Sequence, residues 1–408
     1  GADLDGIVVA KVLELAPHPE ADRIQVVQVD AGDGKPLQIC CGAFNMAVGD
    51  LVPLATIGTT MPGGMEIAQR KLRGQTSNGM LCSSAELELA GDADGIMILD
   101  PTLGLGAPIA DALGLDSDIL FDIDVEGNRP DALSVLGVAR DLAAKLGVEF
   151  TPPTPSVTES GVTASSLGSV EILDGDFCRR FGFRVLEGVT LGTSPDWMAS
   201  RLTAAGMRPI NTIVDISNYV MLELGQPNHT YDLDTVSEGG LRVRMASDGE
   251  TIETLDGKTR TLTTADGVIT NKNDEAIGLA GVMGGASTEI GDSTTRVLLE
   301  AAIWDRMPIA RTSRRLNLRS EASTRYERGV DFEGVERALD RFCELAIELC
   351  GATVASGAVV VDGTPLEPAV VRVRTERVNA RLGSSLTTDE IAGLLTPIGF
   401  LNTPDGDD

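Results

Sequence analysis

"TPPTPSVTESGVTASSLGS" runs from Thr151 to Ser169 and separates two differently patterned parts of the chain. Proline, serine and threonine dominate it and little apolar surface is available to bury, so 151–169 reads as a linker at a domain boundary. On its N-terminal side, "GIVVAKVLEL", "RIQVVQVDAGDG", "LQICCG" and "LVPLATIG" alternate β-branched residues with Gly, Asp and Pro turns. That period-two pattern predicts a small closed β-barrel of the OB type over 1–117. In 118–150, "NRPDALSVLGVARDLAAKLG" predicts a helix over about 131–146, opened by Pro130-Asp131 and ended by Gly147. On the C-terminal side, strands are expected at "VEIL" and "RFGFRVLEGV". A helix is expected at "SPDWMASRLTAAG" with Ser194 as its N-cap, then further strands through Ile303. The apolar face of "VERALDRFCELAIELC" makes a last helix closed by Gly351. Residues 170–362 are thus a mixed α+β domain. Past it, 363–408 opens with a strand at "VVRVR" and a capping box at Thr387–Glu390, the start of a truncated helical, winged-helix-like module. The fold class expected is multidomain α+β.

Composition narrows the function. A chain of 408 residues exceeds what a single core usually fills, and only 3% aromatics leaves Val, Leu, Ile and Ala to build the cores. There is no apolar run near the roughly 20 residues of a membrane helix, and "GADLDGIVVA" has no signal-peptide pattern, so a cytoplasmic location without membrane contact is expected. The six cysteines form no CxxC pair and have no histidine at ligand spacing, which favours reduced, buried thiols over a metal site. A net charge of -28 opposes coating of DNA. A specific RNA partner stays open, because Gln69–Arg73 and Ala310–Ser320 are locally basic and arginine-rich. The start at Gly1 and the stop at "LNTPDGDD" read as a fragment.

Three ordered groups of motifs carry a resemblance. "HPEADRIQVVQVDAG", "QICCGAFNM" and "KLRGQTSNGMLCSSAELEL" follow one another as in the tRNA-binding OB-type domain of several synthetases. Such barrels bind RNA on a strand face, with loop side chains on phosphate and ribose. The resemblance makes Arg70, Lys71, Arg73, Ser77 and Asn78 the contact candidates, with a solvated loop as the alternative for each. A free-standing single-strand binder would need stacking aromatics, and Phe44 is the only aromatic there before Phe121. "FDIDVEGNRPDALSVLGVARDLAAKLG" resembles the next segment of bacterial phenylalanyl-tRNA synthetase beta subunits, although Glu126-Gly127 stands where the family often has Thr-Pro; packing and subunit contact are its implied roles. "RPINTIVDISNYVMLELGQPNHTYD", "GLAGVMGGASTEI", "LEAAIWD" and "RTSRRLNLRSEASTRYERGVD" then resemble the editing module of the same family.

An apolar pocket rejects an added hydroxyl by only about a hundredfold, so separating phenylalanine from tyrosine calls for a second, hydrolytic site. The resemblance implies that Glu300 accepts the tyrosine hydroxyl, and a carboxylate is a suitable acceptor. It implies that His229 and Asn218 surround the ester, with Ser217 where threonine is more usual. His229 would position water or the ribose hydroxyl, and Asn218 would hold the ligand. Gly284 and Gly285 in "GLAGVMGG" lack the frame of a nucleotide loop and would instead let backbone pass close to the ligand. Ala322 would line the same cavity. The bland alternative is that these are polar residues held by turns, in a non-catalytic tRNA-binding and subunit-scaffolding module. The resemblance also implies an α2β2 assembly with an alpha subunit, tRNA(Phe) as partner, and tyrosine or its ester in the editing site. ATP and Mg2+ would serve the complete enzyme, with no metal or cofactor held here and amino-acid activation left to the alpha subunit.

Overall fold

The computed structural model describes residues 4–89, 95–115 and 119–403, and the chain divides into two compact units, Gly1–Phe121 and Asp122–Asp408. The expected boundary at 117/118 falls on 116–118, outside the described residues.

In the first unit, strands Ile7–His18, Ala21–Asp30, Leu37–Cys41 and Leu51–Ala55 form where β-branched residues alternate with polar ones, so that Val27, Val29 and Ile39 are wholly buried. With Met80–Leu81 they make a five-stranded sheet in which Ile7–His18 is central, flanked by Ala21–Asp30 and Leu51–Ala55. The closed barrel expected from the sequence is found as this open ladder. Closure is approached where the Asn78 amide donates to the Gln38 carbonyl at 2.9 Å and Cys40 N donates to the Ser77 hydroxyl at 3.0 Å. The described residues 82–89 and 95–107 run largely in turns and loops, and the single bridges Leu51↔Leu99 and Val8↔Pro108 touch the sheet.

The second unit is mixed α+β and contains two larger sheets. One orders its strands Asn228–Asp232, Arg296–Trp304, Cys178–Glu187, Thr353–Ser356 and Glu159–Thr163, with Val359–Asp362 also pairing Cys178–Glu187. The other orders Met283–Gly284, Ala276–Leu279, Gly267–Asn271, Gly240–Met245 and Ser169–Ile172. Arg296–Trp304 shows how they pack. Leu298, Ala302 and Trp304 enter one core with Ile269, Ile277 and Leu279 of the second sheet. Val297, Leu299, Ala301 and Ile303 enter another, with Ile213 and Ile216 of helix Thr212–Leu224 and Leu339 and Phe342 of helix Gly334–Cys350. A strand buried on both faces has a nearly continuous apolar sequence, here "VLLEAAIW" with one acid.

Several expectations are corrected. The linker contains strand Glu159–Thr163, parallel to Thr353–Ser356, and helix Ala164–Leu167. Arg184, almost buried, fixes the strand by an ion pair to Glu159 while also holding Asp340. The helix expected over 131–146 starts at Val135, because the Ser134 hydroxyl accepts from Gly137 N at 3.0 Å and a separate 3-10 turn occupies Pro130–Leu133. Ser194 is not an N-cap: its hydroxyl donates to Asp215 at 2.6 Å, and helix Asp196–Ala204 follows Pro195. "VVRVR" pairs with no strand among the described residues and leaves Val370 97% exposed. The capping box at Thr387 and the stop at Gly351 form as expected. Among the described residues no helix is long and apolar enough to cross a membrane, and all six cysteines are free thiols.

Gly182, central in Cys178–Glu187, lets helix Gly334–Cys350 lie close to the sheet, since a Cβ there would come within 2.8 Å of Val335 and 3.0 Å of Leu339. Gly182→Val overfills this contact, and urea unfolding is expected to show a loss of about 1–3 kcal/mol. An unchanged midpoint would mean that the helix has room to shift.

Candidate functional site

Helix Thr212–Leu224 begins where the Asn211 side chain accepts from Val214 N at 3.0 Å and ends at Gly225 with φ 79°. The chain then enters Asn228–Asp232, which pairs antiparallel with Arg296–Trp304 and sets His229 opposite Glu300. Residues opposite each other across antiparallel strands share a face. Tyr231, two residues on, shares it as well; its ring meets the His229 ring edge-on at 4.6 Å and its hydroxyl donates to Glu300 Oε2 at 2.5 Å.

This face opens on a cavity of about 250 Å³ lined by Ser217, Asn218, His229, Tyr231, Gly284, Glu300, Ala322 and Tyr326, among others. Six of the seven residues expected in the pocket therefore meet. Gly285 does not line it: its N–H donates to the Ile277 carbonyl, against which a Cβ would lie at 2.6 Å. Gly284 adjoins the imidazole, and a Cβ there would stand 2.3 Å from His229 Cε1, so its small size makes room for the ring. Ser217 is engaged in joining helix to strand, donating to the Asn228 carbonyl at 3.2 Å while Asn228 Nδ2 donates to the Ser217 carbonyl.

Burial sets the charges. Glu300 is 6% exposed, and desolvation pushes its carboxyl from 4.5 up to about 7, against the hydrogen bond from Tyr231, which favours the charged form. Desolvation alone pulls His229 from 6.5 down to about 4, so the imidazole is neutral at pH 7. Tyr231 is held well above its usual value by burial and by the neighbouring carboxylate, and it stays a phenol. His229 Nε2 and Asn228 Oδ1 are buried without a hydrogen-bond partner among the described residues. The cavity thus offers a neutral imidazole with an unused nitrogen, an amide, and a carboxyl group poised near neutrality, a set suited to binding a polar organic ligand and orienting water.

Sequence reading missed Tyr231, Tyr326 and Met221. The signal for Tyr231 was its spacing of two from His229 in a short strand; Tyr326 and Met221 reach the cavity through tertiary packing alone.

In the first unit, Arg70 and Lys71 are exposed and form no ion pair among the described residues. Arg73 is exposed at the tip of a hairpin joining Arg70–Leu72 to Gln75–Ser77, with φ 44°, and donates to the Glu20 carbonyl at 2.7 Å. Asn78 is half-buried and accepts from Gln69 at 2.7 Å. Ser77 departs from the expectation of a free RNA contact: it is buried, accepting from Cys40 N and donating to the Gly79 carbonyl, each at 3.0 Å.

A family described as "Putative tRNA binding domain" matches residues 7–108, and one described as "B3/4 domain" matches 177–351. The phenylalanine–tRNA ligase beta subunit of Anaeromyxobacter dehalogenans is 47% identical over 98% of this chain and 50% of its own length. That of Nitratidesulfovibrio vulgaris is 48% identical over 94% of this chain and 48% of its own. The chain therefore spans about half the length of these curated relatives. An N-terminal fragment of the Pyrococcus horikoshii phenylalanyl-tRNA synthetase beta subunit superposes at TM-score 0.33 and 16% identity, covering 67% of this chain and 74% of that one, which is too loose a likeness to carry weight.

The buried carboxyl has a signature in stability against pH. Folding raises the proton affinity of Glu300, so between about pH 4.5 and 7 the folded chain binds the extra proton and stability falls as pH rises. His229 acts oppositely: its affinity is depressed, so stability is gained as pH rises from about 4 to 6.5. Glu300→Gln removes only the first effect. Relative to the parent it is expected to be about level at pH 4.5 and stabilised by up to roughly 3 kcal/mol at pH 8, in urea unfolding. The same difference at both pH values would show that Glu300 is ionised without cost.

Proposed function

The chain belongs to the phenylalanine–tRNA ligase beta-subunit family, and on that premise we propose that its central domain hydrolyses Tyr-tRNA(Phe), removing tyrosine attached in place of phenylalanine. The observation that carries this reading is the meeting of Glu300, His229, Asn218 and Ala322 around one 250 Å³ cavity. An apolar cavity of about 150 Å³ takes up benzene, so this space suits a phenol and part of its aminoacyl group.

Tyr231 engages Glu300 Oε2, and the other carboxyl oxygen accepts the ligand's phenol. Phenylalanine leaves that oxygen without a donor in a desolvated place, at a cost of about 1–3 kcal/mol. Neutral His229 orients a water through Nε2, and Asn218 holds the acyl group. Water's oxygen bonds to the ester carbonyl carbon, the bond to the ribose oxygen breaks, and that oxygen takes the proton. Tyrosine and free tRNA leave. With its affinity for protons depressed by burial, His229 serves better as a positioner of water than as a strong base.

In this reading residues 1–117 are an OB-type module that holds tRNA, with Arg70, Lys71 and Arg73 on phosphates. Residues 118–150 make subunit contact, 151–169 connect, 170–362 form the editing domain, and 363–408 open a winged-helix-like module. The whole protein joins an alpha subunit as α2β2 in the cytoplasm and charges tRNA(Phe) with ATP and magnesium; no step described here passes through either. A scaffolding role for the segment before the linker is favoured by its exposed apolar side chains, Val135, Leu142, Leu146 and Val148, and is compatible with editing.

Glu300→Ala in the assembled enzyme is expected to slow clearance of Tyr-tRNA(Phe) at least tenfold, a loss of about 1.4 kcal/mol or more, while Phe-tRNA(Phe) synthesis is kept. Deacylation assays measure both. Unchanged clearance would eliminate the role given to this carboxyl.

A further inference from the structure

Besides the cavity just described, the second unit has another opening of about 510 Å³ that shares none of that cavity's lining residues. It lies among the start of helix Val135–Leu146, the Leu224–Gln226 turn, and the segments around Trp304–Arg306 and Arg328–Arg337. Five arginines line it: Arg179 pairs with Asp176, whereas Arg140, Arg306, Arg328 and Arg337 form no ion pair among the described residues. Arg306 and Arg328 each give one N–H to a backbone carbonyl, of Arg328 and Val125, and Arg140 lies over the Phe150 ring. In a chain with net charge -28, such a grouping is a local reversal of the prevailing field.

Three carboxylates, Asp131, Asp305 and Asp331, also line the cleft, and the hydrogen bonds they accept come from groups other than these four arginines. Asp131 takes two hydrogen bonds from Arg129, at 3.0 and 2.9 Å. Asp305 caps Met307 N, and Asp331 accepts from Glu333 N, each at 3.1 Å. The guanidinium N–H groups left without an acceptor, above all those of Arg140 and Arg337, therefore have anions as their natural partners, and their planar fork fits phosphate oxygens. A second, independent observation points to a hydroxyl. Gln226 lines the cleft, is 2% exposed, and donates through Nε2 to the carbonyls of Ala302 at 3.0 Å and Pro227 at 3.1 Å. Those two acceptors fix the amide orientation, leaving Oε1 buried with no donor. An acceptor in want of an O–H beside cations in want of a phosphate describes a ribose phosphate.

We infer that this arginine-lined cleft binds a ribonucleotide phosphate, either one unit of an RNA strand or a free nucleotide. Gln226 also donates to Tyr326 at 3.3 Å, and Tyr326 lines the editing cavity, so an occupant of the cleft lies against the wall of that cavity. Ribose-phosphate binding itself does not depend on the editing reading.

Calorimetry on this 408-residue chain with 5'-AMP and with a 5'-phosphorylated triadenylate tests the inference. Arg140→Gln/Arg337→Gln is expected to weaken both probes at least tenfold and to flatten the salt dependence, with tyrosine binding unchanged. Should that pair unfold, as read by circular dichroism, Arg306→Gln takes its place, with an expected loss of several-fold. AMP is expected to bind several-fold more tightly than its 2'-deoxy counterpart. A trinucleotide at least tenfold tighter than AMP identifies an RNA strand as the source, and equal affinities identify a free nucleotide. The inference is overturned if neither probe binds, if the arginine variants bind as the parent does, or if a glutamate-rich peptide binds where the nucleotides do not.

Discussion

The pairing of Arg296–Trp304 on both its edges is the constraint on which the rest of the second unit depends. Asn228–Asp232 on one side and Cys178–Glu187 on the other satisfy its backbone, so the strand can be buried on both faces without unpaired amides. That burial makes Glu300 unusual. One carboxyl group interrupts an apolar strand, and the register that sets it beside His229 also brings the Tyr231 hydroxyl to it. Slipping the edge strand by one residue would turn His229 and Tyr231 to the opposite face and leave Glu300 alone in the core between the sheets.

The same burial acts oppositely on the two titratable groups facing each other. Desolvation raises the acid and lowers the base, so near pH 7 the imidazole is neutral and the carboxyl is divided between its protonated and ionised forms. A charged pair in this place would attract strongly, yet two ions would bear the desolvation cost of burial. With His229 neutral, no ion pair forms between the two groups, and the carboxyl can be protonated or ionised. A phenolic ligand would then meet a carboxyl group able to change its proton occupancy on contact, and an imidazole with an unused nitrogen.

How much of this was legible in the sequence follows from how local each signal is. Helix Gly334–Cys350 and its stop at Gly351 were readable because periodicity and a left-handed glycine lie within one segment. The strands of the first unit were readable for the same reason. Strand Glu159–Thr163 was not: every one of its residues is exposed, and what orders it is pairing with Thr353–Ser356 and the Arg184 ion pair, almost two hundred residues and twenty-five residues away in sequence. "VVRVR" errs the other way, since its β-pattern is local and a partner strand is lacking among the described residues. In the site, His229, Asn218, Glu300 and Ala322 came from ordered resemblance, whereas nothing local could tell that Gly284 faces the imidazole, that Gly285 faces a carbonyl, or that Ser77 is buried.

The two openings of the second unit differ in the sign of their chemistry, and the wall between them explains how they coexist. The cavity on the sheet face holds a raised acid and a depressed base, and its polarity is that of unpaired neutral groups. The cleft holds guanidinium groups that stay charged at any working pH. Gln226 and Tyr326 stand between them, held by neutral hydrogen bonds to the carbonyls of Ala302 and Pro227. Had a carboxylate stood at Gln226, it would pair with the cleft arginines and also press Glu300 further toward its protonated form. A neutral amide adds no charge of its own to either side. Gln226 and Tyr326 thus join the two openings by packing, so that a shift of either side chain reaches both.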